Sequence, residues 1–146
     1  MHKALNYMSL ARRGGRIELG EEPCGAAARA GHARLIVVAA DASPHTWRRA
    51  KSYVAGTDQQ CLRVPFSKDE MGEAIGRSSL AMAAFTDPAL ALAFVKALEQ
   101  REEYREILEN LELKTKRVRQ RQTEDKAHQR NVRTGKVRRA PVTKKD

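Results

Sequence analysis

A chain of 146 residues has the length of one ordinary domain and can bury a core without disulfides or a structural metal. Its formal net charge of +10 is concentrated at one end: thirteen Lys or Arg and three Asp or Glu lie between Lys114 and Asp146, leaving fifteen of each sign in residues 1–113. No stretch approaches the roughly 18 continuous apolar residues of a membrane span, and residues 1–30 carry no apolar export segment, so a cytoplasmic, non-membrane protein is expected.

Taken in chain order, Ala4, Leu5, Met8, Leu10 and Ala11 recur at helical spacing and end at Arg12-Arg13-Gly14-Gly15, a cationic last turn followed by breakers. Arg16 to Leu19 alternates as a short strand. Gly20-Glu21-Glu22-Pro23 then opens a second helix, with acids and a proline where a helix N-terminus accepts them, running to about Gly31. Leu35 to Ala40 is a continuous apolar run, the pattern of a strand buried on both faces. Asp41-Ala42-Ser43-Pro44 caps a third helix, His45 to Ala55, and Cys61 to Pro65 reads as a third strand. Ser67-Lys68-Asp69-Glu70 is a capping box for a fourth helix ending near Gly76. A fourth strand is expected at Leu80 to Phe85, and Thr86-Asp87-Pro88 starts a fifth helix with Leu90, Phe94, Val95 and Leu98 on its apolar stripe.

The alternation of helices and strands predicts an α/β fold: a three-layer α/β/α sandwich on a four-stranded mixed sheet over residues 1–98. From 99 to about 122 the helical pattern extends or restarts through Tyr104, Ile107, Leu108 and Leu111, as a charged helical extension. Residues 123–146 lack periodicity, are interrupted by Gly135 and Pro141, and are expected to form a basic tail that stays disordered until bound.

The concentrated positive block points to a polyanion, because cations that neutralise phosphates release their condensed counterions. A membrane surface is disfavoured: the segment from Lys114 onward has no Leu, Ile, Phe or Trp to insert. Lys114, Lys116, Arg117, Arg119, Arg121, Arg138 and Arg139 are therefore read as RNA contacts. The last aromatic residue is Tyr104, so base stacking is not available to this segment.

Catalytic arrangements are missing. There is no nucleophile elbow, metal-binding helix motif, phosphate-binding loop or dinucleotide fingerprint, and His2, His32, His45 and His128 lie scattered. Asp41 stands where α/β enzymes often keep an acid, although its place beside Ser43-Pro44 suits a cap or turn better. Cys24 and Cys61 have neither metal-ligand spacing nor the number for a disulfide framework, and read as idle thiols. No catalytic step and no cofactor are expected.

The order of three motifs resembles the kink-turn-binding ribosomal-protein superfamily, and most of all its bacterial YlxQ-type branch. They are Arg12 to Arg16, then Gly20-Glu21-Glu22, then Ala30 to Pro44; the stretch Val64 to Ser78 follows at the expected distance, so the resemblance covers roughly residues 3–98. It implies an α/β/α fold that binds RNA at a sharp bend, using the start of the second helix and the loop before the last strand. On this resemblance Gly20, Glu21 and Glu22 face the G·A pairs of a kink, Arg16 meets phosphate, with Arg13 and Arg34 as further cations, and Gly76, Arg77, Ser78, Ser79 and Leu80 hold an extruded nucleotide. Where better-studied members carry Asn, Glu and Lys, this chain has Glu22, Pro23 and Ala26, which removes an amide, a carboxylate and a cation.

Two functions follow as expectations. One is a ribosome- or translation-associated RNA-binding protein, monomeric when free. The other is an adaptor on the same scaffold, binding a ribosomal protein or a translation or transcription factor, with residues 99–122 as a second docking surface.

Overall fold

The computed structural model describes residues 1–99 and 103–134, with side chains through residue 128. The chain divides after Glu112, one unit being Met1–Glu112 and the second beginning at Leu113.

The first unit contains α1 (Lys3–Arg13), β1 (Ile17–Leu19), α2 (Glu21–Arg29), β2 (Leu35–Val38), α3 (Pro44–Val54), β3 (Cys61–Arg63), α4 (Lys68–Ala74), β4 (Met82–Phe85) and α5 (Pro88–Ala97). The strands form one mixed sheet in the order β1-β4-β2-β3, with β2 and β3 parallel and β4 antiparallel to both β1 and β2. One helical layer holds α1 packed on α4 and α5; the other holds α2 packed on α3. This is the expected α/β/α sandwich. The central strands β2 and β4 are buried at every position, which is why they read Leu-Ile-Val-Val and Met-Ala-Ala-Phe with no alternation.

Local signals act as their chemistry dictates. The Ser67 hydroxyl accepts from Glu70 N–H at 3.1 Å while the Glu70 carboxylate accepts from Ser67 N–H at 2.9 Å, completing the capping box. Ser43 caps α3 and Asp87 caps α5, each ahead of a proline. Asp41 accepts from Lys68 N–H at 2.8 Å, joining the end of β2 to the start of α4, the turn-forming use of this acid. Phe85, Phe94 and Phe66 form a chain of tilted and edge-on rings through the α1–α5 layer, with centroids 5.2 and 6.5 Å apart.

Several boundaries differ from expectation: β1 begins at Ile17, β2 stops at Val38 and β3 stops at Arg63, short of Arg16, Ala40 and Pro65. β4 begins at Met82, because Leu80 N–H turns to the Lys68 carbonyl at 3.0 Å instead of joining the sheet. Of the two expected continuations after residue 98, extension or restart, the chain takes the restart: α5 stops, Glu99 adopts φ 60, and α6 runs from Arg105 to Thr134. The tail expected to be disordered from Thr123 is thus helical for twelve further residues, 123–134. Segment 114–134 has no apolar stripe, but it also has no glycine or proline and is rich in Lys, Arg and Gln, so propensity without amphipathicity carries the helix. Gly135, Pro141, Arg138 and Arg139 lie outside the described residues.

The boundary expected at residue 98 also moves. Tyr104, Leu108 and Leu111 are buried in the same hydrophobic core as α1 and the sheet, so the folded unit extends to Glu112.

Candidate nucleic-acid interface

Strand register decides which residues meet. Leu19 pairs with Ala83, and the next residue, Gly20, donates its N–H to the Met82 carbonyl at 2.9 Å. The start of α2 therefore lies at the end of the sheet where the α4–β4 loop delivers the chain into β4. Gly20 sits at φ 98, ψ 165, a conformation open essentially to glycine alone, and no side chain caps the helix that follows. The first turn of α2 presents backbone N–H groups and the positive end of the helix dipole here, beside exposed Glu22.

Glu21 is drawn inward. One carboxylate oxygen accepts from the Thr46 hydroxyl at 3.1 Å and the other pairs with the Arg49 guanidinium at 3.1 Å. Arg49 in turn lies 5.9 Å over the Tyr53 ring. The approach of α2 to α3 depends on Gly25, since a Cβ there would stand 2.9 Å from that ring.

The α4–β4 loop is fastened from three sides. Arg77 N–H donates to the Gly72 carbonyl at 2.8 Å, the Arg12 guanidinium donates to the Ile75 carbonyl, and Gly72 lets Ser79 pack so closely that a Cβ would fall 2.6 Å from its nitrogen. Gly76, Arg77, Ser78 and Ser79 are exposed, whereas Leu80 is buried and anchors the loop in the core.

Within the first unit, the structure separates Arg13, Arg16 and Arg34 from this end. The Arg16 carbonyl accepts from Thr86 N–H at 3.0 Å and its guanidinium pairs with Asp87 at 3.5 Å, and Arg34 N–H donates to the Phe85 carbonyl at 2.8 Å. Both mark the opposite end of β1, β4 and β2, and exposed Arg13 closes α1 on the same side, just before β1 begins. Arg34 Nε is buried with no hydrogen-bond partner. On α6, Lys116, Arg117, Arg119 and Arg121 are exposed, while Lys114 is buried at 5% relative exposure.

One cluster escaped the sequence reading. Arg63 on β3 places its guanidinium 5.1 Å over the Trp47 ring and donates to the Ala40 carbonyl at 3.1 Å. Ala40 follows β2 at the same sheet end as Gly20, since Ala39 N–H bonds the Ala81 carbonyl. The half-buried indole and its arginine, with exposed Arg48 on α3, add cations and a stacking face to this end. The interleaving of Trp47, Arg48, Arg49, Lys51 and Tyr53 was the available signal.

Beside the outer face of α2, a cleft of about 380 Å³ is lined by Glu18, Pro23, Ala26, Ala27, His32 and Thr86. Nucleophilic chemistry has no support from Cys24: burial first, then the nearby Glu18 and Glu21 carboxylates, push its thiol up to about 12. Among the described residues, no three His, Cys, Asp or Glu gather to hold a metal, and no helix is long and apolar enough to cross a membrane.

No family model and no curated protein matches the chain. Solved structures do. A protein of unknown function from Bacillus halodurans is similar with a TM-score of 0.63 and 21% identity, over 68% of this chain and 100% of that one. The Giardia lamblia 15.5kD RNA binding protein is similar with a TM-score of 0.51 and 21% identity, over 68% of this chain and 84% of that one. At this identity the likeness is one of fold, shared with a protein that binds RNA.

Proposed function

We propose that this chain is a non-catalytic, cytoplasmic RNA-binding protein of the ribosome or translation machinery, whose folded unit recognises a sharply bent RNA of the kink-turn kind. The observation that carries this reading is the meeting, at one sheet end, of the uncapped α2 N-terminus, the glycine-bounded loop 76–79 and the Trp47–Arg63 pair. Backbone N–H groups donate to phosphate oxygens or base-edge acceptors, the loop offers a site for an unstacked nucleotide, and the indole offers a stacking face. The RNA-binding structural neighbour and the order of the sequence motifs support the same reading. The cations after Lys114 add salt-dependent affinity that does not itself select a sequence.

The test is binding of the full chain to a kink-turn RNA and to a matched straight duplex across a salt series. Selective binding of the bent RNA, lost in Arg77→Ala and in Trp47→Ala, is expected. Equal binding of both RNAs, unaffected by either substitution, would overturn recognition by this surface.

A second reading is favoured by the cleft beside α2. Pro23, Ala26 and Ala27 give it an apolar wall and Glu18 an acid, a lining suited to a peptide better than to phosphate. On that reading the scaffold is an adaptor for a ribosomal protein or a translation or transcription factor, and co-purification that survives nuclease treatment supports it.

A further inference from the structure

The charge on α6 is not evenly distributed around its axis. At 3.6 residues per turn, Lys116, Arg119 and Lys126 fall within an arc of roughly 100°. From Lys116 onward that arc contains no acid. Glu124 and Asp125 lie in the opposite sector, together with Arg117 and Arg121, where they lower the positive potential. Lys116, Arg119 and Lys126 are all exposed.

We propose that α6 binds as a helix, laying this one-sided stripe along the phosphates of double-stranded RNA. The inference rests on the RNA-binding reading and narrows it to a partner form and to particular residues. Three observations favour a duplex. The stripe from Lys116 to Lys126 runs along one continuous helix and is about 15 Å long at 1.5 Å per residue, a fixed spacing that matches a rigid row of phosphates. A single strand is held by stacking its bases on aromatic rings, and none follows Tyr104. The helix also has nothing to insert into base pairs, so its attraction is to backbone shape and charge, which is how double-stranded RNA is chiefly recognised.

A helical stripe and a flexible polycation differ in what they do when charge is moved or geometry is broken. In a flexible polycation every Lys or Arg is equivalent; on a helix the facing cations count and the averted ones do not. Isolated polar helices of this kind are marginal, and crowding of like charges along one face opposes them further, so phosphate contact should raise helicity.

The experiment uses the full chain, a straight RNA duplex, a single strand of the same sequence, and three variants. R119Q/K126Q removes two stripe cations, R117Q/R121Q removes two cations from the opposite sector, and Gln120→Pro breaks the helix without changing charge. The expected result is a loss of about tenfold in duplex affinity for R119Q/K126Q, with the slope of log affinity against log salt reduced by nearly two, and only about a two- to threefold loss for R117Q/R121Q. Gln120→Pro should lose about tenfold, and far-ultraviolet circular dichroism of the unsubstituted chain should gain helical signal on adding duplex. Equal losses from the two double variants with no effect of Gln120→Pro, or tighter binding of the single strand, overturns the helical stripe while leaving RNA binding intact. Failure to bind any RNA removes the RNA-binding reading itself, and with it the inference.

Discussion

The Glu21 carboxylate at the head of α2 and the Arg49 guanidinium on α3 meet at 3.1 Å, so the first acid of the expected RNA-reading turn is committed to holding two helices together. Its neighbour Glu22 is exposed. The two glutamates should therefore respond oppositely to neutralisation. Glu21→Gln should lower stability by about 0.5 to 1 kcal/mol, the range for a partly exposed ion pair, and leave RNA selectivity unchanged. Glu22→Gln should leave stability unchanged and tighten RNA binding by removing a charge that repels phosphate. Urea denaturation and titration with RNA, run on both variants, separate the two roles.

Gly72 tests the loop. A methyl group there would press on Ser79 N at 2.6 Å, Ser79 Cα at 2.8 Å and the Arg77 carbonyl at 2.9 Å, all backbone atoms that no rotamer change can move aside. Gly72→Ala should cost about 1 to 3 kcal/mol, as overpacking does, and should displace residues 76–79 from their hydrogen bonds to α4. Amide exchange at Arg77 and Leu80, whose N–H groups bond α4 in the native loop, should accelerate in the variant. Unchanged protection at both amides would show that the loop is not held by this contact.

Much of this arrangement could be read from the chain before folding, for identifiable reasons. Caps and buried strands depend on residues a few positions apart, so Ser67 with Glu70, and the apolar run from Leu35, state their roles locally. Glu21 could not, because its partners Thr46 and Arg49 are more than twenty residues away and meet it only once α2 and α3 share a face. Arg16 and Arg34 look close to the Gly20 turn in sequence, yet strands of three and four residues suffice to place them at the other end of the sheet. The length of α6 was hidden because its distal half lacks an apolar stripe, and hydrophobic period is the signal by which a helix is ordinarily recognised.

Cys24 predicts an alkaline limit. Its thiol is raised from 9.0 to about 12 in the folded chain, chiefly by burial. Between those values the unfolded chain has lost the proton and the folded chain has kept it, so unfolding releases protons and stability falls as pH rises from about 9 toward about 12. Below that window Cys24 contributes no pH dependence. The Tyr104 hydroxyl, raised above 10.0 by burial and then by Glu103, acts in the same direction at higher pH. Cys24→Ala should make the decline above pH 9 shallower. In the unsubstituted protein at pH 8, a thiol reagent should reach Cys24 only after denaturant is added.

The core places the end of the folded unit where the sequence pattern alone did not. Leu111 is completely buried, and Tyr104 and Leu108 are nearly so, all within the cluster that contains α1 and the sheet. A chain ending at Leu98 would expose the surface these three side chains cover, each worth about 1.5 to 3 kcal/mol of burial, a large share of what a small domain has to spare. Residues 1–112 should therefore unfold cooperatively at nearly the temperature of the full chain. Residues 1–98 should melt far lower or fail to fold. Leu111→Ala in the full chain should cost about 2 to 5 kcal/mol, because the cavity lies inside packed core. Equal melting of the 98- and 112-residue chains would instead make the first turns of α6 an appendage, and Leu111→Ala would then be nearly silent.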